Sequence, residues 1–81
     1  MFAEEIRLSP NTIKMLEMCA LRARYTDFLK KLSISDTAIE NNLKRLIKRR
    51  WIKKVKRGVY VLTWEGEKVL IRYRYLVTTV V

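Results

Sequence analysis

Between Asn41 and Trp64 the chain carries nine basic side chains and no acidic one: Lys44, Arg45, Lys48, Arg49, Arg50, Lys53, Lys54, Lys56 and Arg57. That is half of all 18 Lys and Arg, in under a third of the 81 residues. Ammonium and guanidinium groups at that density suit one chemistry, the charge-assisted hydrogen bonding of a polyanion. Basic charge scattered over a surface often serves solubility alone, so its concentration in one stretch is the informative feature. Ser35, Thr37, Glu40, Asn41 and Asn42 lie just upstream or at its start. Their short hydroxyl, carboxylate and amide groups can discriminate hydrogen-bond patterns, whereas Lys and Arg chiefly supply charge.

Other chemistries are poorly provided for. There is no His, and Cys19 is the single cysteine, so an internal disulfide is excluded. No metal-ligand spacing and no glycine-rich phosphate loop occurs, and Glu65 and Glu67 suit the dipole of a helix start. We therefore expect no enzyme activity, no cofactor and no metal. Cys19 lies among apolar residues and reads as a small buried hydrophobe. No apolar run approaches 18 residues, and Met1 to Leu8 lacks the apolar stretch of a signal peptide. The expected location is cytoplasmic, on the nucleoid, or in host cytoplasm for a viral protein. The lack of His and Gln beside abundant Lys, Arg, Ile, Val and Tyr leans toward a thermophilic source.

The net charge of +10 and 49% apolar content describe one small folded domain spanning residues 1–81. Ser9 is placed to cap a first helix from Pro10 to about Arg22, with Leu8 stapled onto Ile13. Ile13, Leu16, Ala20 and Ala23 follow at helical spacing. Thr26 is expected to cap a short helix over Asp27–Leu32, with Phe28, Leu29 and Leu32 on its apolar side. Ser35 can cap a third helix from Asp36, in which Ile39, Leu43, Leu46 and Ile47 form the inward stripe. Thr37, Glu40, Asn41, Lys44, Arg45 and Lys48 are then left on its outer side. Strand-prone Trp51–Val55 and Val59–Thr63 flank Lys56-Arg57-Gly58, which reads as a hairpin with a cationic tip. A last helix is expected from Thr63 onward, over about 64–77. The tail from Val77 to Val81 is open between continuing that helix, pairing with a partner chain, and fraying.

Leu32-Ser33-Ile34-Ser35-Asp36-Thr37-Ala38-Ile39-Glu40-Asn41-Asn42-Leu43-Lys44-Arg45-Leu46-Ile47-Lys48-Arg49-Arg50-Trp51-Ile52 resembles the turn and recognition helix of winged helix-turn-helix transcription regulators. The later run Gly58-Val59-Tyr60-Val61-Leu62-Thr63-Trp64-Glu65-Gly66 resembles their second wing strand and the Leu-Thr-x-x-Gly start of the last helix. The likeness covers roughly residues 10 to 72. It implies an α+β winged helix-turn-helix fold, with a three-helix core, a β-hairpin wing and a C-terminal helix. The motif would span about 26–50 and the wing about 51–63. The resemblance also implies a dimer, often built from terminal helices, that regulates transcription or packs DNA, chiefly in archaea and their viruses. Ser33 and Arg50 stand where the family usually has glycine, so a less regular turn and helix end are expected there. No added ligand-sensing segment is present, so no small-molecule effector is expected.

Duplex DNA is thus the expected partner. The helix over 36–49 would enter the major groove and the tip over 56–58 would meet backbone or minor groove. Thr37, Glu40, Asn41 and Lys44 are candidates for base edges. Ser35, Asn42, Arg45, Lys48 and Arg49 are candidates for phosphates, and Lys54, Lys56 and Arg57 for the wing contact. Trp64, Leu70, Tyr73, Tyr75, Leu76 and the Val-rich end are more apolar surface than one small domain covers, which suggests a homodimer through the C-terminal helix and tail. Low-specificity chromatin binding, RNA binding and protein docking stay open as alternatives. A membrane-surface role ranks last, because the basic residues do not line one face of a long amphipathic helix.

Overall fold

The computed structural model describes residues 8–80, with side chains described through Arg74. The elements are α1 (Pro10–Ala20), β1 (Ala23–Arg24), α2 (Tyr25–Lys31), α3 (Asp36–Lys48), β2 (Ile52–Lys56), β3 (Val59–Leu62) and α4 (Trp64–Val80). The fold is α+β: four helices and a three-stranded antiparallel sheet of order β1-β3-β2 among the described residues. Its layout is compatible with a winged helix.

Helix starts follow the expected chemistry at two places. The Ser9 hydroxyl accepts the Thr12 N–H at 3.1 Å, with Pro10 in the first helical position, where its missing N–H costs nothing. The Ser35 hydroxyl likewise accepts the Ala38 N–H at 3.2 Å. The third start differs. Helix α2 begins at Tyr25 rather than after Thr26, and the Asp27 carboxylate accepts the Arg24 N–H at 2.9 Å. Tertiary pairing causes the shift: Ala23 and Arg24 form a strand against Tyr60 and Val59, and the Tyr25 N–H donates to the Gly58 carbonyl at 2.8 Å. The chain is therefore fixed in the sheet up to Arg24 and free to coil only from Tyr25. Two residues are too few to carry a period-2 pattern, so this strand has no sequence signal.

Helix α1 ends at Ala20, two residues short of expectation, because Arg22 takes a left-handed φ of 67°. Arg50 does the same at the end of α3, with φ 64°. Its N–H donates to the Ile47 carbonyl at 2.9 Å and the Trp51 N–H to the Leu46 carbonyl at 3.0 Å. That pair of bonds is the Schellman closure usually given to glycine. The helix end is thus regular, contrary to expectation, and Arg50 bears the backbone cost. Ser33 needs no left-handed backbone at all, the only positive-φ residues among those described being Arg22, Arg50 and Gly58. Trp51 belongs to the helix closure and not to a strand.

The core is built from Ile13, Met15, Leu16 and Cys19 of α1, Phe28, Ile39, Leu43 and Leu46 of α2 and α3, Ile52 and Tyr60 of the sheet, and Leu70 of α4. Phe28 and Tyr60 meet at 6.1 Å between ring centroids. Leu8 is partly buried against this core. Three expected inward residues are at the surface instead: Ala20 is exposed at the end of α1, Leu29 is 40% exposed and Ile47 39%. Leu70, expected at an intersubunit surface, is buried at 3%. It is one helical turn past Gly66, and both are buried.

Helix α4 is positioned by its Leu-Thr-x-x-Gly start. The Thr63 hydroxyl donates to the Arg50 carbonyl and accepts the Gly66 N–H at 3.0 Å, while the Thr63 N–H donates to the Trp51 carbonyl at 2.9 Å. One residue thereby caps α4 and ties it to the end of α3. Gly66 is buried against that junction. A Cβ there would overlap the Trp51 carbonyl oxygen and come within 2.8 Å of Leu62 Cδ1. Helix α4 runs to Val80 and so takes in the tail left open by the sequence, with Val81 outside the described residues.

Candidate nucleic-acid interface

Helix α3 projects a polar, cationic face because its apolar residues Ile39, Leu43 and Leu46 turn into the core. At 100° per residue, the direction opposite that stripe falls among Thr37, Asn41, Lys44 and Lys48, all exposed. Arg45 borders this face and is also exposed, as is Ser35 at the helix start. Asn42 is half-buried and lies to one side. The central four therefore form one continuous surface of hydroxyl, amide and ammonium groups.

Two candidates are diverted from it. Glu40 sits at the margin, where the Tyr25 hydroxyl donates to its Oε2 at 3.4 Å. Partial burial, with the Glu40 and Asp36 carboxylates beside it, pushes the Tyr25 hydroxyl above its ordinary pKa. Arg49 is the C-cap residue, outside the helix proper, and its guanidinium lies 5.1 Å from the Trp51 ring centroid. It lines a groove of about 480 Å³ beside α4 with Leu8, Trp51, Glu65, Lys68, Val69, Arg72 and Tyr73. Arg49 is thus held on the side of the molecule nearer α4, away from the centre of the α3 face.

The hairpin is compact. Its register pairs Ile52 with Leu62, Lys53 with Val61, Lys54 with Tyr60 and Lys56 with Val59, with a bulge at Val55. Only Arg57 and Gly58 form the turn, and Gly58 takes φ 73°. Lys56, expected in the turn, is the last residue of β2. The tip is anchored, because the Gly58 carbonyl receives the Tyr25 N–H. Lys54, Lys56 and Arg57 are all exposed.

The sheet adds two cations that sequence reading missed. Because β1 pairs with β3, Arg24 stands opposite Val59, and Val59 stands opposite Lys56. Arg22 precedes β1 and is exposed like Arg24. These residues and Leu21 line a depression of about 400 Å³. The signal was unreadable because Arg22 and Arg24 are more than 30 positions from Lys56 and Val59.

Among the described residues no helix is long and apolar enough to cross a membrane. Among the described residues no group of His, Cys, Asp or Glu is arranged to hold a metal ion. Compared with known proteins, the chain matches no family model, no curated protein and no solved structure.

Proposed function

We propose that the protein is a winged helix-turn-helix that binds duplex DNA, with α3 as the recognition helix and the β2–β3 hairpin as the wing. The observation that carries this reading is the outward face of α3. Thr37, Asn41, Lys44 and Lys48 are exposed together on a helix whose opposite side is locked into the core. A single helix of this kind fits the major groove, where Asn41 can pair bidentately with adenine and the Lys side chains reach flanking phosphates. The anchored two-residue tip favours a backbone contact for Lys56 and Arg57 over deep insertion into the minor groove. Glu40, held by Tyr25, becomes an orienting contact at the edge of the helix more than a central base reader.

The test is binding to a random duplex pool and to the sequence selected from it, at two salt concentrations. Expected are affinity that falls steeply with salt and a clear preference for the selected sequence. Asn41→Ala should reduce that preference by about 1–3 kcal/mol. Lys44→Gln with Arg57→Gln should weaken binding to every sequence and reduce the salt slope by about 2. Unchanged duplex affinity in that double variant favours a protein-docking module, and equal binding of duplex RNA favours an RNA role. A selected-to-random ratio near one favours chromatin-type packing, which the diversion of Glu40 and the surplus of cations also suit.

The same reading includes a homodimer through α4, supported by Trp64 and Ile71. They are 69% and 56% exposed and seven residues apart, so they share one side of the helix. Two copies joined there would present two α3 helices to a palindromic site.

A further inference from the structure

Strand β1 carries two arginines to the wing that the α3-and-tip footprint leaves unused. Residues directly opposite in an antiparallel pair point to the same face, so Arg24, Val59 and Lys56 form one cross-strand row. Tyr60, the next residue on β3, belongs to the core, whereas Val59 is buried outside the core cluster. The row therefore lies on the face of the sheet turned away from the core. Leu21 and Arg22 complete the rim of its depression of about 400 Å³. Among the described residues the one ion pair recorded is Arg74–Glu17; Arg22, Arg24 and Lys56 form none, and the nearby Asp27 carboxylate is engaged by the Arg24 backbone N–H.

We propose that Arg22, Arg24 and Lys56 form a phosphodiester clamp that holds the DNA backbone beyond the wing tip. The inference rests on the duplex-binding reading above and extends its footprint. Three cations around the buried Val59, with Leu21 on the rim, suit a row of phosphates, since each guanidinium can fork onto two oxygens. Position supports the same occupant. Tyr25 links the clamp to the recognition helix: its N–H is bonded to Gly58 at the wing tip, and its hydroxyl reaches Glu40 on α3. The row adjoins that tip in the strand register and contains no acidic residue.

Arg22 offers a clean test, because its left-handed φ of 67° is one that glycine adopts freely. Arg22→Gly removes the charge and relieves the backbone, so weaker binding cannot be ascribed to a damaged fold. The full-length protein, Arg22→Gly, Arg22→Lys and the triple variant Arg22→Gly/Arg24→Gln/Lys56→Gln are compared for duplex affinity against salt and for hydroxyl-radical footprint. The clamp predicts a salt slope lower by about 1 in the single variant and by about 2–3 in the triple. It also predicts lost protection on one flank of the site, an unchanged selected-to-random ratio, and recovery in Arg22→Lys. A parent protein that binds, with variants matching it in slope and footprint, overturns the clamp and leaves the α3 reading standing. A parent with no salt-dependent duplex binding overturns both.

Discussion

Gly66 and Arg50 show opposite uses of one backbone rule. Gly66 is needed for space, since any Cβ would strike the Trp51 carbonyl oxygen at the junction of α3 and α4. Gly66→Ala should therefore destabilise the protein by about 2 kcal/mol or more in urea denaturation, overpacking outweighing the better helix propensity of Ala. Arg50 instead occupies a left-handed position that costs an L-residue about 1–2 kcal/mol. Arg50→Gly gives back part of that in extra unfolded-state entropy and should stabilise the protein by about 0.5–1 kcal/mol in the same measurement. Cys19 is a third residue with a definite expectation. Burial in the core pushes its thiol from 9.0 up to about 12. The folded state thus keeps the thiol protonated while the unfolded chain ionises it above about pH 9. The stability this burial provides is present below pH 9 and is lost as pH rises toward 12. At pH 8 Cys19 should resist alkylation in the native protein and react promptly once denatured; rapid native labelling would contradict its burial.

At the scale of elements, α3 is where the sequence reading comes closest to the structure. A 13-residue amphipathic helix with a Ser cap leaves its periodicity little competition. Even so, the stripe read as four inward residues narrows to three. Ile39 has no exposed surface and Ile47 is 39% exposed, though both lie at permitted helical spacing. Ile39→Ala should cost about 2–5 kcal/mol and Ile47→Ala less than about 1 kcal/mol in thermal unfolding. Equal costs would place Ile47 in the core. Helix α2 was harder to read, because its start depends on pairing between Arg24 and Val59, distant in sequence. Thr26 looks like a cap locally, but the sheet places the cap two residues earlier, at Arg24.

At the scale of the whole molecule, the basic stretch folds into two cationic surfaces, the face of α3 and the outer face of the sheet near the wing tip. The exposed apolar surface of α4 narrows to Trp64 and Ile71 among described side chains, once Leu70 is placed in the core. Tyr75, Leu76 and the Val-rich end lie where side chains are outside the described residues. If α4 joins two copies, Trp64→Lys with Ile71→Lys should shift sedimentation equilibrium from dimer to monomer without unfolding the chain. A parent protein that sediments as a monomer at high micromolar concentration would remove the α4 dimer. The Arg74–Glu17 pair, 3.3 Å apart between α4 and α1, is largely exposed and should add less than about 1 kcal/mol.

What the sequence determined by itself was local: helix starts at Ser9 and Ser35, the inward register of Ile39, Leu43 and Leu46, and the turn at Gly58. Each rests on interactions within a few residues, where capping, periodicity and φ preference act directly. Tertiary structure decided what depends on distant partners. It drew Arg22 and Arg24 to the wing through β1 and tied Glu40 to Tyr25. It also gave the Leu-Thr-x-x-Gly run its physical meaning, as the cap and clearance that seat α4 on the end of α3. The basic run from Lys44 to Arg57 was legible as charge. Which of its members share a surface was settled by strand pairing and helix packing, because a side chain's neighbours across a sheet are set by register and not by sequence distance.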